Sequence, residues 1–326
     1  MEKQERQLIS LIVPAFNEQD NLPLLYTRIC EVDWNSRGCD IEIIVIDDHS
    51  TDDSSLVLQK LAKEDSRVKW IRFSKNFGSH QAFAAGVEIC SGNAAVLLSA
   101  DLQDPPEFIL ELIEKWFNGY KVVWAVREHR RQESIITQLF SRMYYWLMNR
   151  LACMEMPPRG ADFLLIDKMI IRLLRLHPEK NTSIIALIQW MGFSQVWIPY
   201  TKMPRKSGRS KWTFVKKLKL AIDSFISFSY FPIRFMSVMG IGLSTLGIIY
   251  AALLIVRRII TVCPIEGWTS LICVVLILSG VQLLTLGVLG EYLWRAFDET
   301  RRRPRYIIEG SSEGVIQQEP QSQTQL

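Results

Sequence analysis

The chain has 326 residues, 48% of them hydrophobic, and a formal net charge of +4. This length is enough for one sizeable α/β domain with an appendage. So small a charge, with no basic patch interleaved with aromatic residues, argues against a nucleic acid as partner. The six cysteines have no zinc-like spacing, so we expect them to be reduced. The charged N-terminus carries no apolar stretch typical of a secretory signal, which predicts a cytoplasmic soluble part.

The first part of the chain alternates short apolar runs with segments of helical pattern. The apolar runs, each typical of a buried strand, are residues 8–14, 41–46, 68–73, 94–99 and 121–126. The predicted helices between and after them are residues 20–32, 53–65, 79–90 and 106–118. This alternation predicts a mainly parallel sheet covered on both faces. Because such sheets bind ligands beyond the carboxyl ends of their strands, polar residues just after strands are the first candidates for a site.

The pattern changes in the middle of the chain. Residues 134–150 are predicted to form another helix, residues 162–200 a mixed α/β region and residues 201–211 a basic loop. Residues 212–230 place lysines on one side and apolar side chains on the other. This predicts an amphipathic helix in a membrane interface, and the alternative is a surface helix packed on the core.

Two uncharged apolar runs follow, at residues 235–256 and 270–289. At about 1.5 Å per residue, either run can cross a hydrocarbon core of about 30 Å. More Lys and Arg residues flank the pair than lie in its turn, which predicts a hairpin in the inner membrane with both chain ends cytoplasmic. The alternative is a hairpin buried in a soluble core. Glycines in both runs allow close helix approach, so self-association into a homo-oligomer is a further expectation.

Polar residues follow the first two predicted strands. Asn17 and Glu18 come after the first strand and have the groups to bond a base or ribose, with a turn and helix cap as the alternative. Asp48 follows the second strand and adjoins another carboxylate. Adjacent carboxylates are costly unless they meet a ligand or a cation, so Asp48 is a candidate for binding a nucleotide. Ser50 or Asp52 is predicted to cap the next helix.

A third cluster follows the fourth strand. Asp101 and Gln103 lie two residues apart and offer the oxygen ligands that Mg²⁺ or Mn²⁺ prefers. A divalent ion at this position would neutralise a diphosphate leaving group. The alternative is a helix cap, which suits Asp104 but leaves Asp101 and Gln103 unexplained.

The three clusters, in this order, resemble the inverting family 2 glycosyltransferases, which have the GT-A fold. The closer likeness is to the polyprenyl-phosphate branch, which includes dolichol-phosphate mannose synthase and the bactoprenol glucosyltransferases. The segments that carry it run from residue 8 to residue 308: LIVPAFNEQDNL, IIVIDDHSTDDS, SKNFGSHQAFAAGVEICSG, ADLQDPPEFI, PRKSGRSKW, GVQLLTLGVLGEYLWR and RPRYII.

The resemblance implies a Rossmann-like domain for a nucleotide-diphospho-sugar and a role for each candidate residue. The residues implied to hold the nucleotide are Pro14, Ala15, Asn17, Glu18 and Asp48. Asp101 and Gln103 would hold Mg²⁺ or Mn²⁺ and the diphosphate, and Asp101 would thereby be catalytic.

The resemblance also implies an acceptor side of the site. Arg127 would approach the sugar or the acceptor phosphate, with a surface charge as the alternative. Asp162 would orient the acceptor first and act as a base second. The basic loop that closes over phosphates would contain Arg205, Ser210 and Lys211.

The function implied is transfer of one hexose to undecaprenyl phosphate, with glucose from UDP-glucose expected first, for modification of a cell-envelope glycan. The alternatives are mannose, galactose, N-acetylhexosamine or aminoarabinose, or a non-catalytic scaffold that binds a nucleotide-sugar. A processive polysaccharide synthase is disfavoured, because Gln189-Trp190 does not complete a Gln-x-x-Arg-Trp motif. The expected organisation is a catalytic domain (1–211), a juxtamembrane helix (212–232), a transmembrane hairpin (233–295) and a cytoplasmic tail (296–326).

The chain departs from the family pattern at several positions. Ser99 stands where the family usually has Asp, so one carboxylate of the metal motif is replaced by a hydroxyl. His49 stands where Gly is usual, and Leu164 stands where Arg is frequent.

Overall fold

A computed structural model describes residues 6–128, 163–179, 182–203, 231–260, 267–301, 303–312 and 314–315. The described residues build one sheet in the strand order β7-β5-β6-β4-β1-β2-β3-β8. The strands are β1 (Gln7–Ala15), β2 (Cys39–Asp47), β3 (Val68–Phe73), β4 (Ala94–Leu97), β5 (Val122–Arg127), β6 (Phe163–Asp167), β7 (Gln195–Tyr200) and β8 (Ile308–Ser311). β6 is antiparallel to β4 and β5, and β8 is antiparallel to β3; the other pairs are parallel.

Helices cover both faces of this sheet. They are α1 (Asn21–Glu31), α2 (Ser54–Glu64), α3 (Ser79–Ile89), α4 (Ile109–Phe117), α5 (Lys168–Leu176) and α6 (Ile184–Trp190). Alternate residues of a strand point to opposite faces, so Leu11 and Val13 join the core under α1 and α4 while Ile12 joins the core under α3 and α5. The five predicted strands correspond to β1–β5, and the four predicted helices correspond to α1–α4.

Gly86 allows α3 to pack closely on β1. A Cβ atom at this position would lie 2.2 Å from Cγ2 of the fully buried Ile12. We expect Gly86→Ala to lower the thermal unfolding midpoint, because overpacking costs about 1–3 kcal/mol against a gain in helix propensity of about 1 kcal/mol. The matched control is Gly280→Ala, where an added Cβ meets nothing within 4 Å. A midpoint for Gly86→Ala at or above that of the wild type would contradict the close packing.

Two long helices follow the sheet domain, α7 (Phe231–Ile260) and α8 (Trp268–Thr300). They contain the apolar windows Ile233–Tyr250 and Ile277–Thr300, with mean hydropathy 1.5 and 1.3, and neither window is buried. By length and composition both helices can cross a membrane. The first predicted apolar run lies inside α7, which continues to Ile260, and the second lies inside α8.

The glycines of these two helices do not lie at the contact between them. A Cβ atom added at Gly240, Gly242 or Gly247 of α7 would meet nothing within 4 Å, and the same holds for the three glycines of α8. The close approach that these glycines allow is therefore not made between the described parts of α7 and α8. The helices predicted at residues 134–150 and 212–230 lie outside the described residues.

The predicted C-terminal tail contains a strand that the sequence pattern does not indicate. β8 pairs antiparallel with β3 and covers an edge of the sheet that would otherwise expose unpaired backbone groups. Backbone hydrogen bonds extend the pairing, from Ser74 N–H to the Ile307 carbonyl and from Ser312 N–H to the Trp70 carbonyl, each 2.9 Å. The chain thus returns to the sheet after the two long helices.

Candidate active site

The carboxyl ends of three neighbouring strands form the candidate site. β4, β1 and β2 are adjacent and parallel, and Ala15 at the end of β1 is paired with Asp47 at the end of β2. The loops that carry Asn17, Asp48 and Asp101 therefore leave the sheet at the same edge. The structure brings the three predicted clusters to one place, as expected for a parallel sheet that binds a ligand.

The loops after β1 and β2 are joined by hydrogen bonds. The Thr51 N–H donates to Asn17 Oδ1 at 2.7 Å, and the Asn17 N–H donates to Ser50 Oγ at 2.9 Å. The Glu18 N–H donates to Ser54 Oγ, also at 2.9 Å. The side-chain oxygen of Asn17 thus fixes the conformation of the loop after β1.

Glu18 lies at the start of α1. Its Oε2 atom accepts from Asn21 Nδ2 at 2.6 Å, and its backbone carbonyl accepts the N–H groups of Asn21 and Leu22. This is the turn-and-cap arrangement that the sequence left open as the alternative to nucleotide binding. Pro14 and Ala15 form the end of β1 beside it, and Ala15 is buried.

The predicted caps of α2 are placed differently. The N-cap residue of α2 is Asp53, which makes no side-chain capping bond. Asp52 Oδ1 accepts the Ser54 N–H at 3.1 Å, so Asp52 does serve the start of the helix. Ser50 does not: its hydroxyl accepts from Asn17, and its N–H donates to Asp47 Oδ1 at 2.8 Å.

Asp48 is a buried carboxylate held by backbone N–H groups. It is 4% exposed, and it accepts from the Phe77 N–H at 2.6 Å and from the Gly78 N–H at 2.9 Å. Gly78 has φ 93°, a conformation in which an L side chain is strained. Burial raises the pKa of Asp48 to about 6, although the two N–H donors oppose the rise. Each carboxylate oxygen retains a second lone pair, so Asp48 is able to accept from a ligand as well.

Ser99 bridges two carboxylates in the loop after β4. Its hydroxyl lies 2.6 Å from Asp101 Oδ1 and 2.9 Å from Asp104 Oδ2. Asp101 Oδ1 also accepts the Gln103 N–H at 3.2 Å, while Asp104 Oδ1 accepts from the Tyr200 hydroxyl at 2.7 Å. The hydroxyl therefore occupies the place of the usual carboxylate and orients Asp101.

The helix cap that the sequence offered as the alternative role of Asp104 is not present. The short 3₁₀ turn Pro106–Phe108 begins after Pro105 and has no side-chain cap. Asp104 is instead 1% exposed and turns inward, where the Ser99 N–H donates to its Oδ2 atom at 3.3 Å and the Tyr200 hydroxyl donates to its Oδ1 atom.

The side-chain oxygens of Asp101 and Gln103 suit a divalent ion that a bound substrate also coordinates. Among the described residues no group of three or more His, Cys, Asp or Glu side chains is placed to hold a metal. Asp101 and Gln103 are half-buried at the strand edge, whereas the carboxylate of Asp104 is enclosed. Proteins commonly hold Mg²⁺ with one or two carboxylates, water and substrate phosphates, so Asp101 and the Gln103 side-chain oxygen suit that arrangement.

Arg127 ends β5 and faces the same loop. It is paired with Tyr200 of β7 in the sheet register. Burial and the nearby Asp104 carboxylate raise the pKa of the Tyr200 hydroxyl, and the charge and hydrogen bond of Arg127 oppose that rise. Lys202 Nζ lies 3.6 Å from Asp104 Oδ1. Two cations thus flank the predicted metal turn.

Three non-glycine residues with positive φ mark the same loops. In the part of the chain that the structure describes, the non-glycine residues with positive φ are Asn17 (φ 55°), His49 (φ 61°) and Leu102 (φ 60°). Left-handed backbone at a non-glycine residue costs of order 1–3 kcal/mol and gathers at functional sites. The strain supports the assignment of this edge as the site.

Some predicted site residues lie outside the described residues: Asp162, Arg205, Ser210 and Lys211. Conversely, the sequence analysis did not single out Tyr200 or Lys202, which lie beside Asp104. The only sequence signal for Lys202 is its place at the start of the predicted basic loop. Tyr200 had no signal, since its role depends on the pairing of β7 with β5.

Comparisons with known proteins identify the family of the chain. Residues 10–173 match the sequence model of glycosyl transferase family 2. The uncharacterized glycosyltransferase YkcC of Bacillus subtilis (strain 168) is 38% identical over 302 residues, which cover 93% of each protein. The SfII prophage-derived bactoprenol glucosyl transferase of Shigella flexneri is 34% identical over 306 residues, which cover 94% of this chain and 99% of the relative.

Among solved structures, the mannosyltransferase PcManGT from Pyrobaculum calidifontis, in complex with GDP-Man and Mn²⁺, is 14% identical. The match covers 89% of this chain and 88% of that one, with a TM-score of 0.46, too low to bear on function. The family match and the near full-length relatives confirm the expected family, the GT-A fold class and the enzyme class. The chain belongs to glycosyl transferase family 2 and is a glycosyltransferase.

Proposed function

We propose that the protein transfers a single hexose from a nucleoside diphosphate sugar to a polyprenyl phosphate, with inversion at the anomeric carbon. The observation that carries the proposal is the meeting of Asn17, Asp48 and Asp101 at one sheet edge, in a chain with two membrane-length helices. The relatives named bactoprenol glucosyl transferase support a lipid acceptor and glucose as the sugar.

In the proposed reaction an oxygen of the acceptor phosphate attacks the anomeric carbon as the nucleoside diphosphate leaves from the opposite face. A phosphate monoester has a second pKa near 6, so the nucleophile is already anionic at neutral pH and needs little help from a base. Catalysis then depends on alignment of the two substrates and on neutralisation of the leaving group. Asp101 and Gln103 would hold Mg²⁺ or Mn²⁺, which supplies that neutralisation.

The remaining residues have proposed roles in binding. Pro14, Ala15, Asn17 and Glu18, together with Asp48, would surround the nucleotide. Arg127 would approach the sugar or the acceptor phosphate from the end of β5. Asp162 would orient the acceptor, and the loop with Arg205, Ser210 and Lys211 would close over phosphates.

A lipid acceptor explains the two long helices. The polyprenyl tail cannot enter water cheaply, so the enzyme must work beside the membrane. We propose that residues 233–295 form a hairpin in the inner membrane, with residues 212–232 at its interface. The catalytic domain (1–211) and the tail (296–326) would lie on the cytoplasmic side, where nucleotide sugars are found.

The test is incubation of the purified full-length protein with undecaprenyl phosphate, Mg²⁺ or Mn²⁺ and a panel of UDP- and GDP-sugars. We expect mass spectrometry to show one hexose added to the lipid with UDP-glucose as donor, and NMR to show an inverted anomeric centre. A polymer on the lipid would indicate a processive synthase. Binding of a nucleotide-sugar without transfer to any lipid would indicate a scaffold.

A further inference from the structure

The chain beyond α8 returns to the sheet and pairs with β3 through an irregular register. Arg72 is paired with Gly310 and Phe73 is paired with Ile308, so Glu309 is an extra residue between the two pairs. Such a bulge re-aims the side chain of the inserted residue, and bulges are frequent beside active sites. Here it directs Glu309 towards the end of β2.

Glu309 contacts the turn that carries Asp48. Its Oε2 atom accepts from Arg72 Nε at 3.0 Å and lies 3.5 Å from His49 Nδ1. The same guanidinium donates to Asp47 Oδ2 at 2.5 Å and to the Ser50 carbonyl at 3.0 Å. One arginine therefore connects the C-terminal strand to the residues on either side of Asp48.

A second set of contacts reaches Phe77, whose N–H donates to Asp48. The Tyr306 ring stacks on Phe73 with centroids 4.8 Å apart, and Phe73 packs edge-on against Phe77 at 5.5 Å. The Tyr306 hydroxyl bonds to Glu88 of α3, which ties this segment to the helix that follows Gly78.

We propose that Glu309 is a positioning residue that holds the turn after β2 in the conformation that accepts the nucleotide. A residue of β8 thereby contributes to the site for the nucleotide-sugar, although Glu309 lies 237 residues after Arg72 in the chain. This inference rests on the proposed function, because it assumes that Asp48 contacts the nucleotide. Glu309 is half-exposed, and exposed ion pairs add little to global stability, so its loss should affect the turn more than the fold.

The test uses the full-length protein in detergent and the variant Glu309→Gln. Without ligand, hydrogen exchange should be faster in residues 47–53 and 74–78 of the variant, because Arg72 keeps its bonds to Asp47 and Ser50 but loses the carboxylate that holds it from β8. We expect the Kd for UDP-glucose to rise by about threefold to tenfold. The thermal unfolding midpoint should stay close to that of the wild type.

Two further variants serve as controls. Glu309→Asp keeps the charge and should restore part of the affinity. Glu31→Gln removes an exposed carboxylate at the end of α1 and should change neither exchange nor affinity. Unchanged exchange in Glu309→Gln, or faster exchange with unchanged affinity, would overturn the proposal. A wild type and a Glu31→Gln variant that both bind no nucleotide-sugar would instead mean that the proposed function fails, and that outcome differs from a loss confined to Glu309→Gln.

Discussion

Replacing Asp101 by Asn is expected to lower kcat/KM for sugar transfer by about 10²–10³-fold, the usual effect of removing one preorganised charge-stabilising group. Asp101 is the half-buried carboxylate of its loop, whereas Asp104 is enclosed by Ser99 and Tyr200. The loop therefore has no second accessible carboxylate to take over the contact. Asn keeps the size of the side chain and one acceptor oxygen, so the loss should come from the missing charge.

The measurement is the initial rate of lipid glycosylation over a range of Mg²⁺ or Mn²⁺ concentrations. In Asp101→Asn the metal concentration for half-maximal rate should also rise, because one ligand has lost its charge. Glu107→Gln is the matched control, since Glu107 follows the same loop and forms an exposed ion pair with Arg28. Activity in Asp101→Asn within a few-fold of the control would exclude Asp101 from the chemistry.

The strands β1, β2 and β4 were predictable because each is a continuous apolar run. β1 and β2 are buried on both faces, and such runs stop where the chain meets polar residues such as Asp48. The parallel order of β4, β1 and β2 then brings the following loops to one edge, so the grouping of Asn17, Asp48 and Asp101 follows from local pattern and general topology.

Contacts between distant parts of the chain were not predictable in the same way. β8 has only four residues, and its pairing with β3 is set by Tyr306 and Glu309 rather than by periodicity. The inward turn of Asp104 likewise depends on Tyr200, which lies 96 residues away. The helix cap considered for Asp104 was based only on the residues next to it in sequence, and it is not the role that the structure shows.

The departure at Ser99 has a physical explanation in the loop. A carboxylate at this position would lie near both Asp101 and Asp104, where like charges raise one another's pKa. The hydroxyl donates instead, with its oxygen 2.6 Å from Asp101 Oδ1. Asp101 thus keeps a defined orientation without a third negative charge.

The affinity for UDP-glucose should fall as the pH is lowered through about 6, the raised pKa of the buried Asp48. In the proposed complex the Asp48 carboxylate accepts a hydrogen bond from the nucleotide. Protonation of Asp48 should therefore weaken binding. One unit below the pKa only about a tenth of the molecules are ionised, and the Kd at pH 5 should be about tenfold that at pH 7. The free energy of unfolding has the opposite dependence on pH. Because the pKa of Asp48 is raised in the folded protein, the stability that it contributes is present at low pH and is lost as the pH rises through about 6.

Titration calorimetry between pH 5 and pH 8 would measure the dependence. The ligand must be UDP-glucose rather than UDP, since the terminal phosphate of a nucleotide ionises in the same range. Asp48→Asn should bind more weakly at pH 7, with a flat profile, because the titrating group is gone. His49→Gln removes the neighbouring imidazole, whose charge lowers the pKa of Asp48, so the profile should keep its slope and move slightly to higher pH. A slope that survives in Asp48→Asn, or disappears in His49→Gln, would assign the ionisation to another group and remove Asp48 from the nucleotide contact.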